Sequence, residues 1–370
     1  MNKKKKVRHF SSNAIRLSGR ELLIAGAITF LGLMIAVPWL WQKKETVTLD
    51  KDFRLAYNYR DDYWTFKKCA DEVCRKYPVV FLGDSVIWGM YVDNNHTIPA
   101  WLNQKLGTEA AGNLAIDGMH YVAMEGLLKY YGSAIHNKKV FLYFNPLWLN
   151  SSKFDLSDNA AMDIHHPRLL PQFSPALKCY REPLSKRMSV LMERNLPFYS
   201  LLNHLRLTFF DNEDFNRWII EHPEESPLTK ISFSVDPCEH NHNDSSMTWK
   251  MSGITAQDWN WVPLDESKQW AAFNNVLELL KSRNNQVFVL VGSINPFILT
   301  KNSLDKYNQL RADICAGLKK ENTPFFLLPE LPSGSYADAS HPLSCGYEQI
   351  AATLLQSPDF VKYINQGDGK

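Results

Sequence analysis

Residues 22–41 run for about twenty positions without a charged side chain, which is enough for a helix to cross the hydrocarbon core of a bilayer. Nothing later in the chain is so uniformly apolar. Beyond residue 76 the apolar runs shorten to strand length, at 79–82, 114–116, 140–144, 287–291 and 325–328. Between them lie helix-length amphipathic segments at 98–106, 122–135, 266–282 and 304–319, and a last helix begins near Ser344, which reads as its N-cap. This alternation predicts an α/β fold with a parallel sheet covered on both faces.

Two regions break the pattern. Residues 42–76 are polar, aromatic and charged, and read as a membrane-proximal stalk or a packed first helix. Residues 151–265 are rich in proline, histidine and aromatics, with helical periodicity only near 184–192 and 198–210, and read as an insertion or cap. The expected organisation is a basic tail at 1–21, an anchor at 22–41, the stalk at 42–76, a core in two parts at 77–150 and 266–370, and the insertion between them.

The first core strand ends in Gly83-Asp84-Ser85, at the carboxyl end where α/β sheets carry their reactive groups. A serine hydroxyl is a weak nucleophile until a base removes its proton, and a histidine oriented by a carboxylate is the commonest solution. Asp338-Ala-Ser-His341, near the other end of the chain, supplies both. The spacing lets that loop fold back, with the carboxylate holding one ring nitrogen while the other faces Ser85.

GDS followed at a distance by DxxH resembles the SGNH or GDSL hydrolase superfamily. Two intermediate blocks extend the likeness. Asn113-Leu-Ala-Ile-Asp-Gly118 is similar to the block whose glycine N–H helps form an oxyanion hole. Tyr143-Phe144-Asn145 is similar to the GxN block, with Tyr143 where the family has glycine. The resemblance implies a three-layer α/β/α flavodoxin-like fold in which Ser85 is the nucleophile, His341 the general base and Asp338 its orienter. It also implies an oxyanion hole from Ser85, Gly118 and Asn145, and needs neither a metal nor an organic cofactor. The anchored architecture is similar to SGNH proteins that work beside membrane-bound O-acyltransferases in alginate acetylation and teichoic-acid D-alanylation, and Asn145-Pro-Leu-Trp148 adds a slight likeness to the latter. The implied activity is transfer or hydrolysis of O-acyl groups on cell-surface glycans. The substrate would be an acylated glycan or a small acyl ester, and a membrane-bound O-acyltransferase the implied partner. A purely hydrolytic carbohydrate or lipid esterase, and a noncatalytic glycan-binding module, are the rival readings.

Charge bears on location more than on chemistry. With 41 basic and 39 acidic side chains there is no general electrostatic case for nucleic-acid binding. The basic residues gather at Lys3, Lys4, Lys5, Lys6, Arg8, Arg16 and Arg20, ahead of the apolar run. That asymmetry predicts a single pass through the plasma (inner) membrane, with membrane lipid around 22–41 and the catalytic domain extracytoplasmic or periplasmic. A cleaved signal peptide is the competing reading, but Pro38-Trp-Leu-Trp41 offers bulky residues where a small-x-small site would be needed.

Several constellations have a plainer reading. The six cysteines are an even number that an extracytoplasmic domain could oxidise, with Cys69–Cys74 and Cys315–Cys345 as candidate pairs, or they are buried thiols. The run from Cys238 through His240 and His242 to Asp244 holds metal-ligand types without a second cluster, and reads as a solvated loop. His120 follows Gly118 and reads as a loop histidine, whereas Trp88 beside Ser85 is a candidate pocket wall.

Overall fold

A computed structural model describes residues 17–240 and 243–365. The tail lysines, Arg8, Arg16 and His242 lie outside the described residues.

The chain enters through one long helix, α1 (Gly19–Lys44). Ser18 caps it reciprocally with Glu21, whose carboxylate reaches back to the Ser18 N–H at 2.7 Å. Pro38 has no N–H to donate, and its ring clashes with the carbonyl one turn back. The helix widens into a π turn at Gly32–Ala36, with the Val37 N–H reaching Gly32. α1 is long and apolar enough to span a membrane, and nearly all of it is exposed.

After the short strand β1 (Thr46–Val47) comes α2 (Tyr63–Lys76), begun by the Asp62 carboxylate accepting from the Thr65 N–H. It buries Phe66, Cys69, Ala70 and Val73, so this part of 42–76 belongs to the core and is not a stalk. Next are β2 (Val79–Leu82), the single turn α3 (Ser85–Trp88), α4 (Ile98–Leu106), β3 (Ala111–Asn113), α5 (Tyr121–Tyr130) and β4 (Lys139–Phe144). The insertion carries α6 (Leu184–Asn195), α7 (Pro197–Phe209), α8 (Phe215–Glu221), α9 (Pro227–Lys230) and β5 (Ser234–Val235). The chain closes with α10 (Lys268–Ser282), β6 (Gln286–Val291), α11 (Lys301–Lys320), β7 (Phe325–Leu327), α12 (Ser344–Gln356) and α13 (Pro358–Asn365).

Five strands form one all-parallel sheet in the order β3-β2-β4-β6-β7, while β1 and β5 pair separately. Strand residues alternate between two cores, as the two-residue pleat requires. Val80, Leu82, Val140, Leu142 and Val289 pack toward α2, α5, α10 and α11. Phe81, Phe141, Phe288 and Leu290 pack toward α4, α12 and α13.

Three sequence expectations shift. The second strand is Ala111–Asn113, ahead of the apolar 114–116, because Gly112 lets the backbone pass close beneath α2. A Cβ there would meet Val73 and Tyr77 at 2.6 Å. Helix α5 ends at Tyr130 and not at 135, and Arg283 takes the carbonyls of Leu128 and Gly132 at 2.9 and 2.8 Å. Ser344 is the first helical residue of α12, after the cap residue Leu343.

Candidate active site

Ser85 opens α3 at the carboxyl end of β2, so its N–H is one of the donors that a helix start leaves without an intrahelical partner. The turn closes at Gly89, whose φ of +96° is left-handed, and a Cβ there would lie 2.5 Å from Thr97. Arg54, wholly buried, donates from Nη1 to the carbonyls of Gly89 and Val92 at 2.6 and 2.9 Å, fixing the loop behind the serine.

The structure brings Ser85, His341 and Asp338 into one chain of hydrogen bonds. The Ser85 hydroxyl donates to His341 Nε2 at 2.7 Å, and His341 Nδ1–H donates to Asp338 Oδ2 at 2.8 Å, in the tautomer this pairing requires. Asp338 also accepts the backbone N–H groups of Ser340 and His341 at 3.0 and 2.9 Å, so the DxxH loop folds around its own carboxylate. The Tyr336 to Pro342 bridge closes the loop's base. Burial works against the charge on His341, but the hydrogen bond and charge of Asp338 outweigh it and hold the imidazole above its ordinary range. Asp338 is disfavoured by burial as well, and its bonds to His341 bring it below the usual carboxylate value.

Of the implied oxyanion donors, Gly118 stands in the turn after β3 with a φ of +71°, and the His165 ring lies 3.2 Å from where a Cβ would be. Asn145 ends β4, fully buried, and one of its amide hydrogens goes to Asp84 Oδ2 at 2.7 Å. An amide nitrogen carries two hydrogens, so one remains for a ligand.

Asp84 is a component the sequence reading passed over as a turn residue. Its carboxylate joins the ends of β2 and β4, taking the Val86 N–H at 3.0 Å, the Asn145 amide, and the Trp148 indole N–H at 3.0 Å. Burial raises its pKa against those bonds. Asn295 was likewise missed. It lies four residues beyond β6, where Asn145 directly follows β4, but each is followed by proline and accepts the N–H two residues on, and the Asn295 amide donates to the Asp338 carbonyl at 3.1 Å. The twin Asn-Pro after two buried strands was the available signal. Tyr91, held at a φ of +68°, sets its ring edge-on to His341 with centroids 5.7 Å apart.

The rim is charged and aromatic. Arg60 pairs with Asp117 at 3.2 Å and lies over the Tyr57 ring. Two pieces of the insertion reach it: His165 beside Gly118, and the segment in which Ser245 N–H bonds the Tyr91 carbonyl at 2.8 Å. The helices α6 to α9 lie elsewhere, so residues 151–265 are not one cap over Ser85.

Other candidates resolve into structural roles. His120 is a buried N-cap of α5, its Nδ1 accepting from Ala123, and burial drives its pKa down to about 3. Trp88 is enclosed in the core, donating to the Leu55 carbonyl at 2.7 Å, and forms no pocket wall. Cys69, Cys74, Cys179, Cys238, Cys315 and Cys345 are free thiols, so neither suggested pair is joined. Around residue 240 the ligand types diverge, with His240 on Asp236 at 3.0 Å and Asp244 on His96 at 2.7 Å. No protein-family model matches the chain, and no curated protein matches it in sequence.

Proposed function

We propose that the protein is a membrane-anchored serine esterase or acyltransferase of the SGNH type, acting on O-acyl groups of cell-surface glycans outside the cytoplasm. The observation that carries this reading is the unbroken Asp338–His341–Ser85 hydrogen-bond chain at the carboxyl ends of a parallel sheet. The order of the five core strands supports the fold assignment: numbered along the chain it is 2-1-3-4-5, the flavodoxin-like arrangement, whose switch point falls between β2 and β4. Ser85 and Asn145 end those two strands.

In this mechanism the Ser85 oxygen attacks the acyl carbonyl while its proton passes to His341 Nε2, and Asp338 stabilises the imidazolium. Negative charge on the carbonyl oxygen is met by the N–H groups of Ser85 and Gly118 and by the free Asn145 amide hydrogen. Collapse expels the alcohol, which takes the proton from His341, and leaves an acyl-Ser85. Water then gives hydrolysis and a glycan hydroxyl gives transfer, through the same intermediate.

A serine-reactive phosphonate should label the full-length protein at Ser85, and labelling should vanish in Ser85→Ala. Undiminished labelling of a folded Ser85→Ala protein overturns the assignment.

A further inference from the structure

One of the insertion helices that do not reach Ser85, α7, sits against α1. Helix α7 packs not only on Val37–Lys44 but also on Gly32–Ala36, while its other contacts are with α6 beside it and with α2 and Tyr57–Tyr59 in the body of the domain. Gly32–Ala36 lies roughly 7–14 Å along the helix axis from Trp41, at the α-helical rise. Any bilayer that surrounds residues 22–41 therefore meets this part of the insertion too. Pro38 is the one buried side chain among the described residues of α1.

This placement is fixed. His204 of α7 is fully buried, with Nε2 at 2.7 Å from Glu45, the residue that ends α1, and Nδ1 at 2.8 Å from Asp62, the cap of α2. Glu45 also accepts the indole N–H groups of Trp41 and Trp64 at 2.9 and 2.7 Å. The insertion, the end of α1 and the core cannot move independently of one another.

The apolar surface of α1 continues onto the insertion. The Phe233 ring lies 4.5 Å from that of Trp41, centroid to centroid, and is half exposed. Phe233 follows α9, and Lys230 of α9 lies over the Trp218 ring of α8. On these two short helices Ile219, Ile220 and Leu228 are 50, 77 and 81 % exposed, an apolar set that a water-facing surface rarely gathers. The two basic side chains beside them are spent locally, Arg217 on Glu221 and Lys230 on Glu225.

We propose that α7, α8 and α9 form a second membrane contact, seated in the interfacial region of the leaflet on the catalytic side with Ile219, Ile220, Leu228 and Phe233 among the acyl chains. Helices of this kind sink about 5–10 Å into the headgroup boundary, a depth the α7 contact with α1 matches. Because both basic side chains there are already paired with carboxylates, the contact needs phospholipid but not an anionic headgroup. It holds the catalytic domain at one height and one tilt over the bilayer, which α1 alone would leave free. The proposal rests on reading α1 as a membrane span, and its test separates the two.

Full-length protein is placed in phosphatidylcholine nanodiscs containing a phospholipid with a diazirine near the carbonyl end of one chain, irradiated, and its adducts are mapped by peptide mass spectrometry. Adducts are expected on 22–41 and on 215–233, and not on α4 or α12. In the double variant Ile220→Asp, Leu228→Asp, which alters exposed positions and should keep its circular dichroism, adducts on 215–233 should be lost while those on 22–41 persist. Labelling confined to 22–41 in the wild-type protein overturns the proposal and leaves the span intact. Absence of label from both regions overturns both. If irradiation in native membranes instead crosslinks 215–233 to another protein, the patch is a protein interface and the proposal fails.

Discussion

Two of the described histidines, His341 and His204, bridge an aspartate to a second oxygen with opposite consequences. His341 joins Asp338 to the hydroxyl of Ser85, and His204 joins Asp62 to the carboxylate of Glu45. The ring-to-aspartate distances are the same, 2.8 Å. A hydroxyl can give its proton to a neutral ring, so His341 can cycle between base and acid. Two carboxylates can only accept, so His204 must donate from both nitrogens and is held as imidazolium. Its pKa, opposed by burial but raised by Asp62 and Glu45, stands at about 9. An aspartate–histidine pair is therefore no sign of catalysis by itself; the group on the far nitrogen decides. Access reinforces the difference, since the His341 side chain is 14 % exposed and that of His204 is closed off entirely.

The hardest test of that contrast is to remove the reacting pair. Ser85→Ala or His341→Ala should lower turnover of a small activated ester by about 10⁶-fold, the scale found when either such member of a triad is lost. The fold should be retained. A variant at Ser85 with substantial activity would place the nucleophile elsewhere.

Asp338→Asn comes next, with a loss of up to about 10⁴-fold, because an amide favours the wrong tautomer and cannot stabilise the imidazolium. His341 is raised largely by Asp338, and the proposed mechanism requires it neutral. The acid limb of kcat/KM in the wild type should thus lie above the ordinary histidine value of 6.5 and fall toward lower pH in the variant. An unmoved limb would remove Asp338 from the mechanism.

At the other histidine the same kind of change should act on stability. His204→Gln removes the cation that joins Glu45 to Asp62, leaving only Lys68, 3.7 Å from Glu45 on its other side. Breaking a buried ion pair in this way typically costs roughly 3–5 kcal/mol. Chemical unfolding of the full-length protein in detergent measures it, and kcat per folded molecule should stay near the wild-type value. A large fall in kcat at unchanged stability would mean that His204 serves the reaction.

How far each region could be read from the sequence follows from where its partners lie. Gly83-Asp84-Ser85 and Asp338 to His341 are contiguous motifs, and β2, β4 and β6, buried on both faces, announce themselves as apolar runs. β3 does not, because close packing put Gly112 where a strand would show a large side chain. Arg54 and Tyr91 act through contacts that no local pattern records. The His204 array has no motif at either end to announce it, its partners lying 142 and 159 positions away. In α6 to α8 the buried side chains are few, Val190, Leu201, His204 and Trp218. Periodicity marked only 184–192 and 198–210, where α6 and α7 lie, and the region as a whole read as an insertion or cap.

The smallest effect, and the most direct comparison of the two sites, is in pH. His204 is raised in the folded protein from 6.5 to about 9, so the stability it contributes is fully present below 6.5 and is lost as pH climbs to about 9. Glu45 and Asp62 are both lowered, so their contribution is present above their ordinary values of 4.5 and 3.8 and is lost only as pH falls beneath them. Between pH ~6 and pH ~9 the thermal midpoint should therefore decline while kcat/KM climbs to its plateau, the two histidines losing their protons with opposite consequences. In His204→Gln the decline should flatten, which separates this group from the tyrosines that begin to titrate at higher pH. A midpoint that stays level across this range in the wild-type protein, or one that falls as steeply in the variant, would show that His204 is not held as the buried cation.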